Sequence, residues 1–183
     1  MSRDLTTPPP LPAPGPGRDD AVAVVAFGAN LGDREETIRE AAARIARLPL
    51  VSEVRLSPLH ETVAVTLDGP DPDAPGYVNA VALVTTRLAP SVLLGMLHAI
   101  EEQHGRVRHE RWGDRTLDLD LVAYGDETSD DDRMLLPHPR AAERLFVLEP
   151  WLDLDADAVL PGSGRVADLA AGLRRSTDDR HGR

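Results

Sequence analysis

Residues 21–28, AVAVVAFG, form an unbroken apolar run rich in valine. It is long enough for a buried strand and too short to span a bilayer. The chain is thereby committed to a sheet, and the segments after it decide which kind. Asp33, with Glu36 three residues on, reads as a helix start. Ile38, Ala41, Ala42, Ile45 and Leu48 then recur on one helical face. Residues 51–61 read as a second strand. Residues 62–76 hold three prolines and two glycines and read as a long loop, a length usually reserved for function. Residues 77–86 read as a third strand. Pro90 fits the first turn of a helix ending near His104 and Gly105, with Leu93, Met96, Leu97 and Ile100 facing inward. Residues 116–124 read as a fourth strand.

The order β-α-β-β-α-β predicts an α+β protein of ferredoxin-like type: an antiparallel sheet with its helices on one face. Residues 125–173 are expected as an appended C-terminal region of loops and short helices. The domain expected is 21–173, with a disordered Pro-rich lead over 1–20 and a polar tail over 174–183. Fold alone does not assign function, because this arrangement hosts many.

Composition removes whole classes of chemistry. Cysteine is absent, which excludes disulfide scaffolds, thiolate zinc sites, iron–sulfur clusters and thiol nucleophiles. Lysine is also absent: every one of the 20 Lys+Arg residues is arginine. That excludes a GxxxxGK[ST] phosphate loop and Schiff-base chemistry. If phosphate is held, arginine and metal must hold it. The net charge of −11 argues against nucleic-acid or anionic-membrane partners. No apolar run reaches the ~18 residues of a membrane span, and the N-terminal stretch lacks a signal-peptide apolar region. A cytoplasmic location is expected.

Polar chemistry concentrates at 105–120, GRVRHERWGDRTLDLD. Arg106, Arg108, Arg111 and Arg115 fall within ten residues of an otherwise acidic chain, and Asp118 and Asp120 follow. Residues two apart on a strand share a face, about 7 Å apart along the chain. Both carboxylates should therefore look outward while Leu117, Leu119 and Leu121 pack against the helices. Oxygen donors of this kind suit Mg²⁺, and arginine forks grip phosphate. A lone Asp-x-Asp is usually a solvated strand face; its conjunction with the arginines points to phosphoryl transfer. Glu101, at the edge of an apolar helix stripe, needs a partner if buried, or else reaches water. Tyr77 and Asn79 share a strand face, and Trp112 and Phe146 could also meet a flat heterocycle, although core packing is the ordinary use of such rings. The turn Gly28–Gly32 is a weak phosphate signal, and His138, set between Pro137 and Pro139, could reach phosphate. The histidines show no zinc-ligand spacing.

Arg111-Trp112-Gly113-Asp114-Arg115-Thr116-Leu117-Asp118-Leu119-Asp120 closely resembles the RWGPRTLDLD signature of the 6-hydroxymethyl-7,8-dihydropterin pyrophosphokinase family. Flanking motifs extend the resemblance across roughly 21–173: Ala26–Asp33, Tyr77–Ala80, Glu101 with Gln103, Gly105–Arg108 and Leu136–Arg140. It implies the same ferredoxin-like fold and transfer of pyrophosphate from ATP to the pterin hydroxymethyl group, releasing AMP, in folate biosynthesis. It further implies two Mg²⁺ ions on Asp118 and Asp120, with Arg106 and Arg115 on the phosphates and Arg106 on a mobile loop. Glu101, Arg108, Leu121, Arg133, His138 and Arg144 would serve the nucleotide. Tyr77 and Phe146 would sandwich the pterin, Asn79 and Thr62 would read its edge, and Trp112 would help close the pocket. Attack of the hydroxymethyl oxygen on the β-phosphorus is expected in line, with no side chain as strong base.

Two departures stand out: Asp114 replaces the usual proline, and Thr62-Val63-Ala64-Val65 replaces a Thr-x-Pro-x-Gly segment. Two other readings stay open, another Mg²⁺-dependent ATP phosphotransferase and a non-catalytic ferredoxin-like binding module.

Overall fold

A computed structural model describes residues 19–62, 64–66, 69–71, 76–104 and 116–181. The Pro-rich lead up to residue 18 lies outside the described residues, as does most of the arginine-rich stretch, 105–115.

The first strand, β1 (Ala21–Ala29), leads into α1 (Arg34–Ile45). Asp33 caps that helix as its spacing predicts, its side chain accepting the Glu36 N–H at 3.1 Å. Next come β2 (Val51–Leu56) and β3 (His60–Thr62), where one strand was expected. The break has a local cause. Pro58 has no N–H for the ladder, and the Ser57 hydroxyl takes the Val81 N–H at 3.1 Å. Within the expected long loop, β4 (Ala64–Thr66) pairs with β5 (Gly69–Asp71). Then follow β6 (Tyr77–Thr86), α2 (Pro90–Gln103) and β7 (Asp118–Tyr124).

The main sheet runs β2-β6-β1-β7, with β3 also on β6, and every pairing is antiparallel. One face packs on α1 and α2. Phe27, Val25, Ala80, Leu119 and Leu121 meet Ile38, Ile45, Leu93 and Leu97 there.

The other face is covered too, which corrects the expectation of helices on one face only. After the hairpin β8 (Ser129–Asp131) and β9 (Met134–Leu136) and a short 3-10 turn at Ala141–Glu143, α3 (Leu145–Leu154) lies against the sheet. The small hairpin β10 (Val159–Leu160) and β11 (Gly164–Arg165) leads into α4 (Val166–His181), which packs on α3. Val24, Ala26, Val81, Leu83 and Val122 from the sheet join Val147, Leu148, Trp151, Val166 and Ala170 in a second core. The expected polar tail is, as far as His181, a continuation of α4.

Among the described residues this is a mixed α/β fold built on an antiparallel sheet with four α-helices. No helix among the described residues is long and apolar enough to cross a membrane.

Candidate functional site

The site forms where β1, β6 and β7 share one end of the sheet. Strand register puts Gly28 of β1 opposite Asn79 of β6 on one side and Asp118 of β7 on the other. His60 of β3 lies opposite Asn79, so His60, Asn79, Gly28 and Asp118 make a row across four strands. All four share the face that carries Ala26, Val81 and Val122, the side of α3. Gly28 leaves a gap in that row. A Cβ there would lie 3.6 Å from Asn79 Oδ1 and 4.0 Å from the Asp118 Cβ, which is ordinary contact distance.

Asp118 and Asp120 lie on the same face of β7, as the alternation requires, and Leu117, Leu119 and Leu121 are buried on the other. Asp120 opposes Ala26. Its Oδ2 lies 3.1 Å from Arg144 Nη1 and 3.9 Å from His138 Nε2. Arg144 immediately precedes α3, and its guanidinium sits 5.7 Å from the centre of the Phe146 ring. Phe146 is 41% exposed, so it is not a core ring.

His138 is fixed by its backbone: its N–H donates to Val122 O at 2.8 Å. Its Nδ1 accepts the Arg140 N–H at 3.2 Å. The ring proton therefore resides on Nε2, the atom nearest Asp120. Burial holds this imidazole below its usual range. Arg144 and Arg140 push the same way, against the pull of Asp120.

On the far side of Gly28, Asn79 is buried and its amide Nδ2 donates to Thr62 Oγ1 at 2.8 Å. Thr62 pairs with Tyr77, which is half-buried. Two of the residues expected to read one substrate edge are thus bonded to each other.

Two expected nucleotide contacts need correction. The Glu101 carboxyl is 1% exposed and accepts the Leu119 N–H at 2.8 Å, beneath the strand rather than in the site. Edge strand β7 presents outward peptide groups, and Glu101 satisfies one of them. Leu121 buries its side chain among α1 and α2, on the face opposite Asp118 and Asp120. Arg133 is exposed in the β8–β9 turn. Arg106, Arg108, Trp112 and Arg115 lie outside the described residues, as do Asp114 and Val63.

Sequence reasoning overlooked three positions. Gly28, expected as the end of the first strand and the start of a turn, also opens the site floor. Gly76 and Arg34 drew no comment. Arg34 follows a helix cap and Gly76 precedes a strand, and nothing local to either predicts that they meet.

The donors suit a hard cation. Among the described residues there is no cluster of three or more metal-ligating His, Cys, Asp or Glu side chains. An ion held by Asp118 and Asp120 would take its other ligands from water or a phosphorylated substrate, as Mg²⁺ commonly does.

Paired carboxylates on one strand face, flanked by a guanidinium and an imidazole, are chemically suited to a polyphosphate and its divalent cation. Residues 24–156 match the family described as 7,8-dihydro-6-hydroxymethylpterin-pyrophosphokinase (HPPK). A Haemophilus influenzae protein named 2-amino-4-hydroxy-6-hydroxymethyldihydropteridine pyrophosphokinase is 40% identical over 147 residues, 80% of this chain and 89% of that one. Its Pseudomonas aeruginosa namesake is 43% identical over 147 residues, covering 80% and 88%. The solved Plasmodium falciparum HPPK-DHPS with pteroate superposes with a TM-score of 0.68 at 13% identity. That likeness concerns the fold, and it covers 92% of this chain and 45% of the larger protein. The chain belongs to the 7,8-dihydro-6-hydroxymethylpterin-pyrophosphokinase family.

Proposed function

We propose that this chain transfers the β,γ-pyrophosphate of ATP to the hydroxymethyl group of 6-hydroxymethyl-7,8-dihydropterin, releasing AMP, as a step of folate biosynthesis. Membership of the family supports the reaction. The observation that carries its placement is the row in which Gly28 separates Asn79 from Asp118. A flat ring read by Asn79 and Thr62 would bring its side chain over bare strand towards the two aspartates. We read the strand order and the β-α-β-β-α-β connection as a ferredoxin-like sheet, with 21–173 as the pyrophosphokinase domain and the cytoplasm as its location.

Within this reading Asp118 and Asp120 would hold two Mg²⁺ ions, which would supply positive charge against the triphosphate. Arg106 and Arg115 lie against the transferring group. Arg108, Arg133, His138 and Arg144 hold the nucleotide. Tyr77 and Phe146 flank the pterin, and Trp112 closes over it. Arg144 donates to Asp120 at 3.1 Å, which sets its guanidinium beside the carboxylates.

The hydroxymethyl oxygen attacks the β-phosphorus in line. The bond from that phosphorus to the α-phosphate bridging oxygen breaks, AMP departs and the hydroxyl proton passes to solvent. Positioning supplies most of the acceleration, since no side chain of the described site is placed as a strong base.

The test is incubation with ATP, Mg²⁺ and the pterin alcohol, followed by nucleotide analysis. AMP is expected; ADP would mark an ordinary kinase and overturn the reading. Asp118→Ala and Asp120→Ala should each abolish turnover, and near wild-type rates in either would remove the metal assignment.

A further inference from the structure

Arg34 is the first residue of α1, yet its side chain serves the strands beside it. Its Nη1 donates to the Gly76 carbonyl at 2.6 Å, across 42 positions of sequence. Its Nη2 lies 3.7 Å from the Glu61 carboxylate. Glu61 and Gly76 bracket the residues that connect β3 to β6. One guanidinium thus touches both ends of that connection, just where Thr62 pairs with Tyr77.

The same point is pinched sterically. A Cβ on Gly76 would lie 2.9 Å from the Thr62 carbonyl oxygen and 3.6 Å from Arg34 Nη1. The backbones of Thr62 and Gly76 therefore approach more closely than any side chain at 76 permits. A close approach held by a charged donor is a fixed spacing, because charge-assisted bonds are the stronger ones. What it spaces is Thr62, whose hydroxyl receives the Asn79 amide, and Tyr77, which follows Gly76 directly.

We infer that Arg34 is a positioning residue for the pterin: it clasps Glu61 and Gly76 and so sets Thr62, Tyr77 and Asn79 at the spacing that reads the ring. The inference rests on the pterin reading above. Among the described residues Arg34 touches none of the groups assigned to the phosphates, so its loss should be felt by one substrate and not the other.

Steady-state kinetics on the full chain separate the cases. Arg34→Met should raise the pterin KM roughly tenfold, the scale of one lost charged hydrogen bond. The ATP KM and kcat should stay within about twofold. Arg34→Lys keeps one donor and should recover part of the loss. Gly76→Ala forces the pinch apart and should reproduce the pterin-selective pattern, which keeps the inference decidable if Arg34→Met does not fold.

An unchanged pterin KM in Arg34→Met would overturn the inference. So would an equal rise in both KM values, the sign of general loosening, or a fall in kcat alone, which would put Arg34 on the transferring phosphate. Wild-type protein that forms no AMP from the pterin removes the functional reading itself. Active wild-type protein with an indifferent Arg34→Met removes only this step.

Discussion

Asp120 is not a free carboxylate awaiting a ligand. Its Oδ2 has Arg144 at 3.1 Å and His138 at 3.9 Å, so a guanidinium and an imidazole set the polarity of this strand end. His138 is neutral in this arrangement, since one ring nitrogen accepts a backbone N–H and burial disfavours charge. In metal-free protein its ring resonances should titrate with a midpoint below 6.5, the ordinary value, by NMR. A midpoint at or above 6.5 would contradict the geometry. The sign for stability follows. The unfolded chain takes up this proton at higher pH than the folded one, so His138 withdraws stability as pH falls through 6.5 and towards its lower folded value.

The Asp-x-Asp pair and its shared face were legible in the sequence, because strand alternation alone dictates them. The clasp by Arg34 was not: it joins residues 42 apart through a side chain, and local pattern carries no record of such contacts.

At the scale of elements, β7 depends on α2. An edge strand leaves half of its peptide groups without a strand partner, and the buried Glu101 carboxyl takes up that of Leu119. Glu101→Ala should leave a buried N–H unsatisfied, at a cost of about 1–3 kcal/mol. The Leu119 amide should then lose its protection in hydrogen exchange. Glu101→Gln retains an acceptor oxygen and should stay the milder of the two by both measures. Equal protection of Leu119 in wild type and Glu101→Ala would end this account. Helix α1 was readable from its cap and stripe because those signals are local. The division of the expected second strand into β2 and β3 was readable in principle from Pro58, whose missing N–H a hydrophobicity pattern overlooks.

Across the whole molecule, the second helical layer is what the pattern reading underestimated. AVAVVAF in β1 and AVALV in β6 lack alternation, and a strand without alternation is buried on both faces. The signal for a cover on the second face was present. It was lost because α3 is short, contains Pro150 and sits in a region that reads as loops. Leu148 is fully buried in that layer. Leu148→Ala should lower stability by about 2–5 kcal/mol, with Tm falling by roughly 2–4 °C per kcal/mol for a chain of this size. Calorimetry should still give one transition, because both layers share the sheet; a separate early melt would show that the C-terminal helices fold independently.

Gly28 has a consequence for pharmacology. A compound laid on the strand between Asn79 and Asp118 would meet main chain, which mutation cannot redraw. The one change open to the protein there is to grow a side chain, and that would fill the room proposed above for its own substrate. Resistance by substitution at this spot would cost the organism the very reaction under attack.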